Sequence, residues 1–205
     1  MDKLVEEYGI NYLVHFTKAD NLESIFKNGL LPIKELQNKG INYNGNDEYR
    51  FDGCEDATSV SIQFPNYRMF YKYREQNREV DWVVLGLRKE ILWQKKCAFC
   101  VENAASSNIS SSSIAQRLGI EAFKKMYEEY PGKPSRQQLA IDKSLPTNPQ
   151  AEVLVFDKIE TSYIWGVAFL NQNLLNKYSN LIPVGVKSSI VPDLFSYRAD
   201  YEWWR

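Results

Sequence analysis

Histidine is almost missing from this chain of 205 residues: His15 is the only one. A Ser-His-Asp or Cys-His device would therefore have to be built around that one ring, and multi-histidine metal sites are excluded, whereas carboxylate chemistry stays open. Cysteine is scarce as well. Cys54, Cys97 and Cys100 form an odd set in a chain whose start, MDKLVEEYGI, lacks the cationic and apolar signature of a secretory signal, so reduced thiols are expected rather than a disulfide framework. The C-A-F-C spacing offers half a tetrahedral zinc site, but the second pair of ligands is absent, and no metal is expected. Nowhere do about 18 apolar residues follow one another, which predicts a chain with no membrane span and a cytoplasmic location. Neither a P-loop nor a Rossmann glycine fingerprint is present. An excess of one charge is lacking too: 25 Lys and Arg face 26 Asp and Glu, so any polyanionic partner needs a local basic patch. Lys72, Arg74, Arg78, Arg88, Lys89, Lys95 and Lys96 crowd the middle third and are the candidates for it, against the alternative of solvated helix faces.

What is present reads as a single domain over residues 1–205, with more strands than helices. Tyr12 to Thr17 alternates in β-forming residues. Asp20 or Asn21 then caps a helix carrying Leu22, Ile25 and Phe26, which Asn28-Gly29 stops. Asn38 to Asp56 is a long polar loop rich in Gly, Asn and Asp, of the kind that lines a ligand site. A strand over Ser59 to Phe64, a turn at Pro65-Asn66, a helix from about Tyr67 to Gln76 and a buried strand over Val80 to Leu87 follow. Ala98 to Val101 is a further short strand, Ser106 to Ser113 a flexible serine-rich connector, and Ile114 to Tyr130 has helical spacing. Four prolines make Pro131 to Pro149 irregular, after which Glu152 enters a strand and Ile159 to Phe169 continues as strand and turn. The pattern predicts an α+β domain with a bent, mainly antiparallel sheet, split into two packed halves and flanked by short helices.

The polar residues that fall at strand ends are His15, Thr17, Arg50, Arg68, Tyr71 and Glu152. The segment L-V-H-F-T-K-A-D-N-L-E-S-I-F-K-N-G-L-L resembles the opening of the DarT family of DNA ADP-ribosyltransferases, where H-x-T, a following N-L and a short helix begin the NAD pocket. Later pieces agree in order: Arg50 in N-D-E-Y-R-F, the aromatic-rich S-I-Q-F-P-N-Y-R-M-F-Y, and Glu152 in Q-A-E-V-L-V. The resemblance spans most of the chain, loosely between Ile91 and Asn148. The thymidine-modifying branch has a Pro-Arg-Ser-Pro-Met turn. This chain has Pro65-Asn66-Tyr67-Arg68-Met69-Phe70 there, which looks more like the guanine-modifying branch.

The resemblance implies an ADP-ribosyltransferase-like fold with NAD as co-substrate. Breaking the bond between nicotinamide and ribose passes through a cation-like sugar, so a carboxylate must stand near the developing charge. Glu152 is implied as that catalytic residue, holding a ribose hydroxyl and assisting proton removal from the attacking base. His15 would hydrogen-bond the ribose, and the backbone around Phe16 with the Thr17 side chain would orient the nicotinamide amide. Arg50 is implied as catalytic and cofactor-binding, contacting the phosphates or activating the acceptor. Ser24 would approach the cofactor, and Tyr71 would stack on nicotinamide or belong to the core. The implied acceptor is a base of single-stranded DNA, guanine first and thymine second, because the reactive edge is hidden in a duplex. The chain would be the toxin of a toxin and antitoxin pair, acting on phage in some members, with a macrodomain antitoxin as partner. RNA or protein as acceptor, and a catalytically silent nucleic-acid-binding module, are the alternatives.

Overall fold

The computed structural model describes residues 1–45 and 53–205. Helix α1 (Asp2–Glu7) leads into strand β1 (Tyr12–Lys18), followed by α2 (Leu22–Asn28) and α3 (Ile33–Asn38). Strand β2 (Thr58–Ile62), helix α4 (Tyr67–Gln76), strand β3 (Trp82–Arg88), α5 (Ile91–Gln94) and β4 (Cys97–Cys100) form the middle. The rest carries α6 (Ser107–Ser110), α7 (Gly119–Lys125), β5 (Glu152–Val155), β6 (Ile164–Phe169), α8 (Gln172–Tyr178) and β7 (Lys187–Ile190). None of the described helices is long and apolar enough to cross a membrane.

The α+β reading and the mainly antiparallel sheet hold. The strands form one sheet in the order β4-β5-β2-β1-β3-β6-β7, all neighbours antiparallel except β6 and β7. Strand β3 is buried on both faces up to Arg88 because its run W-V-V-L-G-L has no polar side to turn to water. It pairs with β1 along the whole of that strand, from Tyr12 opposite Arg88 to Lys18 opposite Trp82.

The expected division into two packed halves takes a different form. One sheet is split along part of its length between β1 and β2. These two strands are in register only at Leu13 with Ile62 and Val14 with Ser61. Beyond Val14, β1 stays on β3, while Thr58 to Val60 of β2 pairs with β5. Two strands that follow different neighbours must diverge, and the divergence opens a gap in the sheet. The apolar positions of both halves still close over one core, with Leu13, Leu85, Val60, Val153 and Phe169 in a single cluster.

Several irregular segments differ from the sequence reading. The serine run contains the short helix α6, and its Ile109 is buried against Ala98, Cys100 and Leu154. The helical spacing over Ile114 to Tyr130 is broken at Gly119, whose φ of +81° cannot continue a helix, so α7 begins only there. The Pro131 to Pro149 stretch is irregular but tethered: the Arg136 guanidinium donates to the Thr147 hydroxyl (2.8 Å) and to the carbonyls of Asp142 (3.2 Å) and Leu145 (3.0 Å).

Candidate functional site

The gap between β1 and β2 is the mouth of a cavity of about 200 Å³. A second hollow, beside Ile62 and Arg198, holds about 10 Å³, room for a single water. Strand β1 supplies His15 and Thr17 to the main cavity, α2 supplies Ser24 and Ile25, β2 supplies Thr58 and Ser59, and α4 with its cap supplies Asn66, Met69 and Tyr73. Asn103 and Ala105, which follow β4, line it together with Glu152 at the start of β5. The described part of the long polar loop contributes Tyr43, Asn44 and Gly45, as the sequence implied, and Ala57, just past the loop, adds to the wall. The loop's centre, with Arg50, lies outside the described residues.

Glu152 is 4% exposed, and a buried carboxylate has to be hydrogen-bonded to stay ionised. Its Oε1 accepts from Asn66 Nδ2 (3.1 Å), and its Oε2 accepts from the backbone N–H of Ala104 (3.2 Å). Asn66 is itself buried and caps α4, its Oδ1 accepting from the Met69 N–H (3.2 Å). With the amide oxygen committed to the helix end, the amide nitrogen is turned on Glu152. The helix start and the carboxylate are therefore positioned by one side chain.

His15 stands across the gap from Ser59. Its Nδ1 lies 2.8 Å from the Ser59 carbonyl, which can only accept, so Nδ1 carries a proton and the other ring nitrogen, Nε2, is the one not used in this bond. This bond crosses the sheet where the β1–β2 ladder has stopped. Thr17 is buried, and its hydroxyl accepts from Asn21 Nδ2 (3.0 Å). The same Asn21 holds Asn44 through both backbone groups, donating to its carbonyl (3.0 Å) and accepting from its N–H (2.9 Å). One amide thus ties the H-x-T strand to the loop that runs toward Arg50. The Ser24 hydroxyl lines the cavity and accepts from Asn28 Nδ2 (3.3 Å).

Strand alternation sends Phe16 to the face opposite His15 and Thr17, where its ring stacks on Phe70 (4.5 Å between centroids). What Phe16 offers the cavity is therefore backbone. Tyr71 is not brought to the cavity: it is 43% exposed and packs against Tyr197 (5.8 Å). Tyr73, two positions on and so on another face of α4, lines the cavity instead. Arg68 also points elsewhere, its Nη1 donating to the Trp204 carbonyl (2.7 Å).

The cations of the middle third do not form one patch. Lys89 pairs with Glu6 (2.5 Å), Lys95 with Glu160 (2.7 Å) and Arg78 with Glu75 (2.5 Å). Arg74 lies over the Phe70 ring, and Lys96 over the Phe156 ring. The cysteine pair cannot share one metal ion, because its spacing of three on a strand turns Cys97 into the main core and Cys100 toward Ile109 on the other face. Burial pushes both thiols up, Cys97 to about 12 and Cys100 to about 11, so both are protonated at neutral pH.

Asn66 and Tyr73 are the site residues that sequence reasoning missed. For Asn66 a signal existed: an asparagine directly before a helical run is a cap, and a cap at this helix stands next to Glu152. Asn21 was read as a helix cap and as part of the N-L pair, but its grip on Thr17 and Asn44 depends on the tertiary fold, and Tyr73 carried no signal of its own.

Against known families, residues 14–196 match the model described as "ssDNA thymidine ADP-ribosyltransferase, DarT". Among solved structures, the chain is similar to Thermosipho africanus DarTG in complex with ADP-ribose (TM-score 0.62, 15% identity). That match covers 90% of this chain, which spans about half (51%) of the DarTG chain. It is also similar to Thermus sp. 2.9 DarT in complex with NAD+ (TM-score 0.56, 14% identity, 92% of this chain and 98% of that one). The carba-NAD+ complex of the same protein gives a TM-score of 0.55 at 17% identity, covering 92% of this chain and 99% of that one. At such identities the structural likeness speaks for the fold. A search of curated proteins returns no match.

Proposed function

The chain belongs to the DarT family of NAD-dependent single-stranded DNA ADP-ribosyltransferases, and on that premise we propose that the cavity in the split sheet binds NAD and passes its ADP-ribose to a DNA base, releasing nicotinamide. The observation that carries this reading is the buried carboxylate of Glu152, held by Asn66 and the Ala104 N–H in the same cavity as His15 and Thr17. The lining fits a dinucleotide. It offers a carboxylate and an imidazole for ribose hydroxyls and apolar walls at Ile25 and Met69 for ring faces. The buried Thr58 hydroxyl adds a polar atom without a hydrogen-bond partner among the described residues. When bound, NAD supplies a ribose activated by its nicotinamide leaving group.

Glu152 places negative charge where the sugar becomes cation-like and can take the proton of the attacking base. His15 holds a ribose hydroxyl through Nε2, while Thr17 and the Phe16 backbone orient the carboxamide. Ser24 stands beside the dinucleotide, and Arg50 meets its phosphates. Tyr73 takes the stacking role that the sequence suggested for Tyr71. The proposed base is guanine, supported by the turn Pro65-Asn66-Tyr67-Arg68-Met69 in place of the thymidine branch's motif, with thymine second. The biological setting that fits is a cytoplasmic toxin held by a macrodomain antitoxin, directed in part at phage.

Mass measurement on single-stranded oligonucleotides that each contain one type of acceptor base, with NAD and either the native chain or Glu152→Gln, tests the reading. One added ADP-ribose on the guanine strand, absent with the variant, is the expected result. Addition to thymine alone would replace the base assignment. NAD consumed with no DNA modified would move the acceptor to RNA or protein, and NAD left intact would leave a silent binding module.

A further inference from the structure

The C-terminal end of the chain displays aromatic rings in water beside α4. Tyr197 is 48% exposed and Trp203 is 54% exposed, although the buried Trp204 shows that the same segment can bury an aromatic ring. Tyr197 stacks on Tyr201 with centroids 5.0 Å apart and planes 24° apart, and it meets Tyr71 of α4 at 5.8 Å. The rings are held from beneath by a buried ion pair. Arg198 donates to both carboxylate oxygens of Asp200 (2.6 and 2.5 Å) and to the carbonyls of Pro146 (2.7 Å) and Thr147 (2.6 Å). Trp204 Nε1 donates to the same carboxylate (2.7 Å). The tail is therefore fixed, and its tyrosines are presented on either side of an anchor.

Charge around the rings is mostly positive. Arg68 and Lys72 stand exposed on α4 on either side of Tyr71 in sequence, and Arg205 lies over the Tyr201 ring (5.4 Å); two carboxylates stand nearby, Glu202 facing Arg205 (3.9 Å) and Glu75, one turn of α4 after Tyr71 and paired with Arg78. Flat exposed rings between cations are what a flexible polyanion with stacking bases recognises. Position favours the same occupant: Asn66, which grips Glu152, and Tyr71 are five residues apart on α4, about 7.5 Å along its axis, or one to two nucleotides. The family match ends at residue 196, so Tyr197, Tyr201 and Trp203 lie outside what it accounts for.

We propose that Tyr71, Tyr197 and Tyr201 form a stacking platform for nucleotides flanking the acceptor base, with Arg68, Lys72 and Arg205 meeting their phosphates. This rests on the reading of the cavity as a site acting on single-stranded DNA. Each stacked base is worth roughly tenfold in affinity.

Steady-state nicotinamide release, measured with a single-stranded oligonucleotide carrying one acceptor base and with the same strand made abasic at the neighbouring positions, tests the platform. Tyr197→Ala and Tyr201→Ala should each raise KM for the intact strand about tenfold and leave kcat close to native, while Tyr197→Phe keeps most of the affinity. The abasic strand should bind the native chain poorly, and the alanine variants should discriminate against it less. Unchanged KM in both alanine variants, or an abasic strand as good as the intact one, overturns the proposal and turns the patch toward a protein partner. NAD turnover without DNA confirms that the variants are folded. Should the native chain consume no NAD, the cavity reading fails separately. Fluorescence anisotropy of a labelled strand then decides: binding lost in Tyr197→Ala upholds the platform, and no binding by the native chain removes it.

Discussion

Asn66 concentrates two tasks in one side chain, since it ends α4 with its amide oxygen and grips Glu152 with its amide nitrogen. Asn66→Ala should cost about 1–2 kcal/mol of stability, as expected for a lost cap and a lost hydrogen bond to a carboxylate. It should also lower kcat more than it raises KM for NAD. Asn66→Asp separates the tasks. Aspartate caps as well as asparagine, so the thermal midpoint should stay near native, but a second carboxylate beside Glu152 disfavours their joint ionisation. The acidic limb of the pH–rate profile should then move to higher pH. A profile identical to the native one would show that the 3.1 Å contact has no part in catalysis. At this scale the sequence was legible where a residue announces its own chemistry: His15, Thr17, Ser24 and Glu152 all meet in one cavity. It was silent where a role is assigned by a neighbour, and it misplaced Tyr71, because helical phase in an aromatic-rich stretch does not say which of Tyr71 and Tyr73 faces inward.

Elements set the cavity by where they stop pairing. The turn after α2 shows how closely the wall is built: Gly29 has φ +84°, and a Cβ there would lie 2.6 Å from the Ile159 carbonyl, next to the bridge between Leu30 and Ile159. Gly29→Ala should therefore lower the urea midpoint, with a loss of at least about 1 kcal/mol at unchanged m-value. The segment after β4 is held otherwise. Glu102 accepts from the Tyr130 hydroxyl (2.5 Å), the Ser106 hydroxyl (2.8 Å) and Asn108 Nδ2 (3.0 Å). Burial pushes the Glu102 carboxyl up, but these three bonds outweigh it and hold the group below the ordinary glutamate value of 4.5. Burial and the same carboxylate push Tyr130 up to about 12, so the two shifts describe one hydrogen bond from its two ends. A carboxyl lowered on folding contributes stability that is full above its unfolded pKa and lost as the pH falls through its folded value. The gap in thermal midpoint between the native chain and Glu102→Gln should therefore be open at pH 7 and close below about pH 4. A gap independent of pH would show that ionisation of Glu102 contributes nothing. Periodicity found β1, β2, β3 and α4 because their apolar patterns are regular, and gave no sign of β7, whose four residues are all exposed. It could not see that the serine run would be pinned, since Glu102, Tyr130 and Ser106 are brought together only by the fold.

Across the whole molecule, the chain closes on itself through residues far apart in sequence. The Arg198–Asp200 pair fastens the last residues to Pro146 and Thr147, and Thr147 in turn donates to the Glu128 carbonyl (2.7 Å), five positions before the strand that starts at Glu152. The tail, the irregular proline-rich stretch and the approach to the strand that carries Glu152 are thus coupled through one guanidinium. Composition gave no hint of this, because a near-neutral sequence can hold its charges in surface pairs or in a single buried one. Desolvating two ions offsets much of their attraction, so the pair adds little net stability while both members are present. Removing one leaves a buried charge alone. Arg198→Ala should therefore destabilise by about 3–5 kcal/mol, with little dependence on salt because the pair is shielded from solvent ions. Arg198→Met with Asp200→Leu removes both charges and should recover part of that loss, the remainder being the carbonyls of Pro146 and Thr147 and the Trp204 indole left without partners. If the double variant is no more stable than Arg198→Ala, the tail is held by its hydrogen bonds alone, and the platform it carries depends on them rather than on charge.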